Sequence, residues 1–160
     1  LQAFQSWQIG GVGGAEWPRI AITAPVLALG ALICFVSARG MNSLALGDDM
    51  AKGLGEHVFR TRLMSALGAV ILAGAATAIA GPIGFVGLVV PHVCRMLIGT
   101  DHRWLLPFSA MAGAALLLAS DIVGRVIAPS SEEIQVGIIT AIIGAPFFIW
   151  IVRRQKVREL

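Results

Sequence analysis

Charge is the first thing this chain is short of. Asp, Glu, Lys and Arg make up 13% of its 160 residues, roughly half of what a soluble domain carries. Cysteine is nearly absent as well. Cys34 and Cys94 both fall inside apolar stretches, which excludes a disulfide framework and a structural zinc cluster. There is no GxxxxGK[ST] phosphate loop, so ATP hydrolysis of that kind is not assigned to this chain. Nor do a nucleophile, a base and an orienting group fall into a pocket pattern, so no catalytic residues are assigned. What the chain does have is apolar surface: 57% of its residues are hydrophobic, too much to leave disordered in water. At about 20 apolar residues per crossing, that composition supports four or five membrane spans and little else. The net charge of +3 is therefore read through membrane topology and not as a nucleic-acid footprint.

The sequence opens on Leu1-Gln2-Ala3-Phe4, with no initiator Met, basic n-region or cleavage pattern. It is expected to be a fragment of a longer protein. Five apolar segments follow, at about Pro18 to Ala38, Leu63 to Ala80, Gly84 to Ile98, Trp104 to Ala128 and Val136 to Val152. The first is expected to end at Arg39-Gly40, and Pro91 to interrupt the third. At about 22 Å of helix, the third is too short to span comfortably unless it tilts or lies within protein. If the first span runs inward, ten of the 12 Lys and Arg collect on one side. These are Arg39, Lys52, Arg60, Arg62, Arg95, Arg103, Arg153, Arg154, Lys156 and Arg158. Arg19 and Arg125 remain outside with Glu16, Asp121, Glu132 and Glu133. The positive-inside rule then places the C-terminus in the cytoplasm. Small residues four apart (Ala69 and Ala73, Gly74 and Ala78, Ser109 and Gly113, Thr140 and Gly144) are the generic sign of close helix packing in lipid.

The inner segment from Met41 to Thr61 is more than a connector. Leu46, Met50, Leu54 and Val58 recur every four residues, and Asp48 precedes Lys52 at pairing distance on a helix. Asn42 and Ser43 are plausible caps, while Asp48 and Asp49 suit a helix start. Gly47, Gly53 and Gly55 divide the stretch into short pieces. An apolar stripe of this kind fits either a surface connector lying on the membrane or a docking face for a soluble partner.

Met41-Asn42-Ser43-Leu44-Ala45-Leu46-Gly47-Asp48, with Ala51 and Leu54-Gly55, resembles the coupling-helix segment of iron-siderophore and vitamin B12 ABC importer permeases. The run from Gly81 through His92, then Arg95 and Gly99 to Arg103, is similar to a second segment of that family, and Val136 to Phe148 resembles its last span. Glu133-Ile134-Gln135 departs from the family's usual Glu-Leu-Pro. The resemblance implies an all-α, polytopic transmembrane helix bundle of type II ABC importer permease-like form. Residues 1–160 would supply the C-terminal half, about five membrane helices of an expected ten, with a cytoplasmic coupling segment at 41–60. It implies transport of an iron(III)-siderophore, haem or a corrinoid such as cobalamin, with no cofactor of the chain's own. The implied partners are an ATP-binding ABC subunit, a periplasmic or lipid-anchored substrate-binding protein and a second permease subunit, in the lipid of a bacterial inner membrane. By resemblance, Leu44, Leu46, Gly47, Asp48, Met50, Ala51, Leu54 and Gly55 would couple to the ATPase, and Arg125 would receive a carboxylate of the binding protein. Residues 1–17 would close the fifth helix and its outer connection.

Other readings weigh less. His92, Cys94, His57, Asp101 and His102 lack zinc-motif spacing and an acidic cage, so no metal ligands are assigned. His92 is expected to cap or hydrogen-bond between helices, and Asp101 to cap the fourth span. An ion-coupled secondary transporter would keep an ionisable group near the midplane. Asp121, the only acid within a span, lies about 26 Å along its helix from Trp104, near the outer surface. Asp121 and Arg125 are spaced for an i,i+4 pair. An intramembrane enzyme is the weakest alternative.

Overall fold

The computed structural model describes residues 10–12, 16–127, 134 and 136–156, with the side chains of 154–156 excepted. The expectations for residues 1–9 and 13–15, for Ala128, Glu132, Glu133 and Gln135, and for the side chains of Arg154, Lys156 and Arg158 lie outside these residues. Every regular element among the described residues is helical: α1 (Trp17–Leu44), α2 (Asp48–Gly53), α3 (Val58–Ala80), α4 (Val86–Ile98), α5 (His102–Ile127) and α6 (Val136–Lys156). Four of them, α1, α3, α5 and α6 to Arg153, are long and apolar enough to cross a membrane. The 13 residues of α4 rise only about 20 Å, the short helix expected of the third segment.

Several helix ends differ from the apolar boundaries. α1 runs past Arg39-Gly40 to Leu44, and α3 begins at Val58, before Arg60 and Arg62. Arginine is a good helix former, so a charge marks the bilayer edge without ending a helix. Pro91 does not interrupt α4, which continues through it to Ile98. Its beginning is set by Phe85, whose φ of 65° is incompatible with a right-handed helix. The apolar side chains of the spans are largely uncovered by this chain: Leu32 is 61% exposed, Val70 68% and Met111 70%. Such exposure is stable where lipid or other helices replace water.

The chain forms two compact units. The first contains Ala15–Ile79 and Ile98–Phe108, so α1, α2, nearly all of α3 and the start of α5 pack here. α1 and α3 run antiparallel through small residues. A Cβ on Gly30 would meet Leu72 at 2.9 Å, one on Gly68 would meet the Cys34 Sγ at 2.7 Å, and one on Gly40 would meet Thr61 Cγ2 at 2.5 Å. As the α1 position advances from 30 to 34 to 40, its α3 partner retreats from 72 to 68 to 61. Ala38, Ala51, Thr61 and Leu105 are buried in this unit.

The second unit contains, of the described residues, 10–12, 80–97, 109–127, 134 and 136–156. Val90, Cys94, Val136 and Ile139 form its buried apolar centre. The Gly11 N–H donates to the Ala80 carbonyl at 2.8 Å and the Gly137 N–H to the Gly10 carbonyl at 3.2 Å. Phe85 sits against Gly144 of α6, where a Cβ would overlap its Cβ and lie 2.6 Å from its Cγ. His92 meets the ring of Phe147 edge-on, with centroids 6.2 Å apart. This aromatic contact takes the place of the expected capping or hydrogen-bonding role. Of the small-residue pairs, Gly144 makes a close approach and Gly113 an ordinary one at 3.9 Å to Val86, while Gly74 has nothing within 4 Å.

Candidate functional site

The residues from Leu44 to Gly55 form one elbow in the first unit. Leu44 ends α1 and Leu46 lies in the turn that follows. Three backbone bonds tighten that turn, from the N–H groups of Ala45, Leu46 and Gly47 to the carbonyls of Met41, Ser43 and Leu44 at 3.0 to 3.1 Å. Gly47 then takes the N-cap of α2 at φ 101°, ψ 155°, a conformation essentially restricted to glycine. Asp48 and Asp49 occupy the first turn of α2, where the helix dipole favours negative charge. At the other end, the Gly55 N–H donates to the Lys52 carbonyl at 2.9 Å and the Glu56 N–H to the Ala51 carbonyl at 3.0 Å. With Gly55 at φ 82°, this is a Schellman ending. Glycine at both ends explains why a six-residue helix forms here instead of a longer one.

Packing sorts the elbow into an anchored side and an open side. Ala51 is fully buried, whereas Leu46, Met50 and Leu54 are 62%, 63% and 66% exposed. Three large apolar side chains thus stand open at spacing four around a buried alanine. Asn42 and Ser43, expected as caps, are instead in the last turn of α1. The Ser43 hydroxyl donates back to the Arg39 carbonyl at 3.4 Å. Asn42 ties α1 to the start of α5: its Nδ2 donates to Asp101 Oδ1 at 2.6 Å, and its Oδ1 accepts from the His102 N–H at 2.9 Å and faces His102 Nδ1 at 2.7 Å. Asp101 does cap α5, accepting from the Arg103 N–H at 3.0 Å. Asp48 pairs with Arg62 Nη2 at 2.8 Å and not with Lys52, because the short α2 lies beside the first turns of α3. Both partners are substantially exposed, so the pair contributes only about 0–1 kcal/mol.

Beneath the elbow, Thr61 donates its hydroxyl to Glu56 Oε1 against Gly40. Nothing in the periodicity of the sequence marks Gly40, Glu56, Thr61 or Asn42 as parts of this joint, since each acts on a residue distant along the chain or on another helix. In the second unit, Arg125 Nε pairs with Asp121 Oδ2 at 2.9 Å across one turn of α5, as its spacing predicts. The described residues contain no group of three or more His, Cys, Asp or Glu side chains placed to hold a metal ion. Asp101 and His102 are engaged with Asn42.

The chain is similar to known proteins over most of its length. The iron(3+)-hydroxamate import system permease of Bacillus subtilis is 44% identical over 97% of this chain and 40% of its own length. The hemin transport system permease of Yersinia pestis is 43% identical over 98% of the chain and 46% of its own length. The cobalamin import system permease of Halobacterium salinarum is 46% identical, with coverages of 96% and 41%. This chain therefore spans less than half the length of these relatives. A solved inward-facing structure of a metal-chelate type ABC transporter superposes with a TM-score of 0.84 at 33% identity, over 96% of this chain and 50% of that one. Together with a match to the family model over residues 1–154, these likenesses establish that this polytopic membrane chain belongs to the FecCD transport family.

Proposed function

We propose that this chain is the C-terminal half of a permease subunit of an ATP-driven ABC importer for an iron(III)-siderophore or a related chelate, haem or cobalamin. It supplies five of ten helices, one of them the short α4. The relatives' printed cargoes, hydroxamate iron, hemin and cobalamin, support a bulky organic chelate as the class. On this reading Met41 to Thr61 faces the cytoplasm of a bacterial inner membrane, as does the C-terminus, which the basic residues support through the positive-inside rule. The elbow seats in a cleft of a separate ATP-binding subunit, and a second permease completes the pathway. Arg125 faces outward to a carboxylate of the substrate-binding protein. Its guanidinium exchanges Asp121 for the partner at little cost, because an exposed pair is worth only about 0–1 kcal/mol.

The observation that carries this reading is the exposed stripe of Leu46, Met50 and Leu54 around the buried Ala51. Glycine-bounded ends hold it to the two spans. An ATPase subunit that grips this knob passes its own closure to α1 and α3, which are locked together at Gly40 and Thr61. The test is Met50→Asp and Leu54→Asp in the full-length permease. Each places an unpaired charge in a dry contact and weakens ATPase co-purification by a few kcal/mol, on the order of 3. Unchanged co-purification together with unchanged substrate-stimulated ATP hydrolysis would leave α2 a membrane-surface connector.

A further inference from the structure

At the edge of the first unit, α1 and the start of α3 enclose a cleft of about 300 Å³, at the small end of ligand pockets. Arg39, His57 and Arg60 line it, with Glu56, Val36 and Met64. Arg39 and Arg60 each stand one residue before the Gly40–Thr61 contact, so the two cations rise from either side of one helix crossing. Neither has an ion pair among the described residues. The one acid on its lining, Glu56, accepts from the Thr61 hydroxyl and lies where a Gly40 Cβ would meet its Oε1 at 2.7 Å, and its charge offsets one of the two cations. Arg39 and Arg60 outnumber Glu56 on the cleft, so its lining is net positive and attracts an anion.

The polarity of the cleft has a direction. α1 leaves the apolar run at Arg39 and α3 enters it after Arg62, so this crossing lies at one bilayer edge. Val36 and Met64 each sit about one turn deeper than the arginines, and Val36 is 64% exposed. Gly55, Glu56 and His57 line the water side. A net positive mouth with Val36 and Met64 below it matches a phosphodiester headgroup with its acyl chains on the apolar side. Arginine suits that group because its fork binds two phosphate oxygens at once, and basic pockets between spans are sites for anionic lipid headgroups. We infer that this cleft binds the phosphate of an anionic phospholipid through Arg39 and Arg60. The lipid then braces the α1–α3 crossing directly behind the elbow.

The test uses the delipidated full-length permease with its ATPase, titrated by native mass spectrometry with dioctanoyl-phosphatidylglycerol, dioctanoyl-phosphatidylcholine and inorganic phosphate. Phosphatidylglycerol is expected to bind at least tenfold more tightly than phosphatidylcholine and to be displaced only weakly by phosphate. Arg39→Gln with Arg60→Gln is expected to abolish that preference. Arg39→Lys with Arg60→Lys keeps the charge without the fork, and should retain folding and bind with an intermediate loss. Arg95→Gln with Arg153→Gln, basic positions outside both the cleft and the elbow, should bind as the unaltered protein does. Equal binding of the two lipids overturns the inference, as does full preference in the double Gln variant or the same loss in the Arg95 and Arg153 control. Effective competition by inorganic phosphate would make this a free-anion site. Lost ATPase co-purification with lipid binding unchanged would make it a protein contact.

Discussion

Gly40→Ala is the smallest change that tests how the elbow is mounted. A Cβ at position 40 would lie 2.5 Å from Thr61 Cγ2, 2.7 Å from Glu56 Oε1 and 2.8 Å from Thr61 Oγ1. Ordinary contact needs about 3.5–4.0 Å, so α1 and α3 must separate by roughly 1 Å, or the Thr61–Glu56 bond must break. Overpacking of this kind costs about 1–3 kcal/mol, and stranding the buried Thr61 hydroxyl adds about 1–3 kcal/mol. The expected loss is on the order of 2–6 kcal/mol, read as the unfolding free energy of the full-length permease in mixed micelles. Thr61→Ala removes both clashing atoms of Thr61 and leaves only the mobile end of Glu56. The double variant should therefore recover most of the loss, with a coupling of about 1–3 kcal/mol in a double-mutant cycle. Substrate-stimulated ATP hydrolysis should follow the same order, since the joint carries α2. Additivity within about 0.5 kcal/mol, or a Gly40→Ala cost below that value, would refute the close approach as a determinant of the fold.

Gly144→Ala should be less tolerated still, because the obstructing atom is the Phe85 Cβ, which cannot swing away. A loss of about 3 kcal/mol or more is expected, recovered in part by Phe85→Gly, which removes the Cβ and relieves φ 65°; equal expression and thermal stability of Gly144→Ala would contradict this packing. Asn42→Ala leaves Asp101 and the His102 N–H without their partner and should cost about 1–3 kcal/mol in the same micelle assay, with Asn42→Asp restoring only the acceptor side. Arg125→Glu should weaken affinity for the loaded binding protein while leaving expression and ATPase assembly intact. The effect should shrink as salt rises, because the contact lies near water; an affinity that does not change would confine Arg125 to its pair with Asp121.

Much of this architecture follows from local chemistry. Apolar run lengths are enough to separate four spanning helices from the short α4. The elbow's division at Gly47 and Gly55 is legible because glycine alone is comfortable at φ 101° and 82°. The Asp121–Arg125 pair and the Asp101 cap are legible for the same reason: both partners lie within one turn of chain. What spacing cannot convey is which face of a helix meets which neighbour. Gly74 fits the small-residue pattern yet has nothing within 4 Å, whereas Gly40 and Gly68 belong to none of the marked pairs and support the tightest α1–α3 crossings. Asp48 turned from Lys52 to Arg62, and Asn42 from a cap to a cross-link, because tertiary packing brought better-placed partners than the local helix offered. The sequence by itself determined which stretches are long and apolar enough to span a membrane and where glycine bounds α2, since hydropathy and backbone freedom are properties of each short stretch. Only the tertiary structure decided how α1 and α3 cross, why Phe85 tolerates its strained backbone against Gly144, and that Arg39 and Arg60 share one cleft. Those features depend on atoms of two segments meeting at contact distance, and no single stretch of sequence contains both.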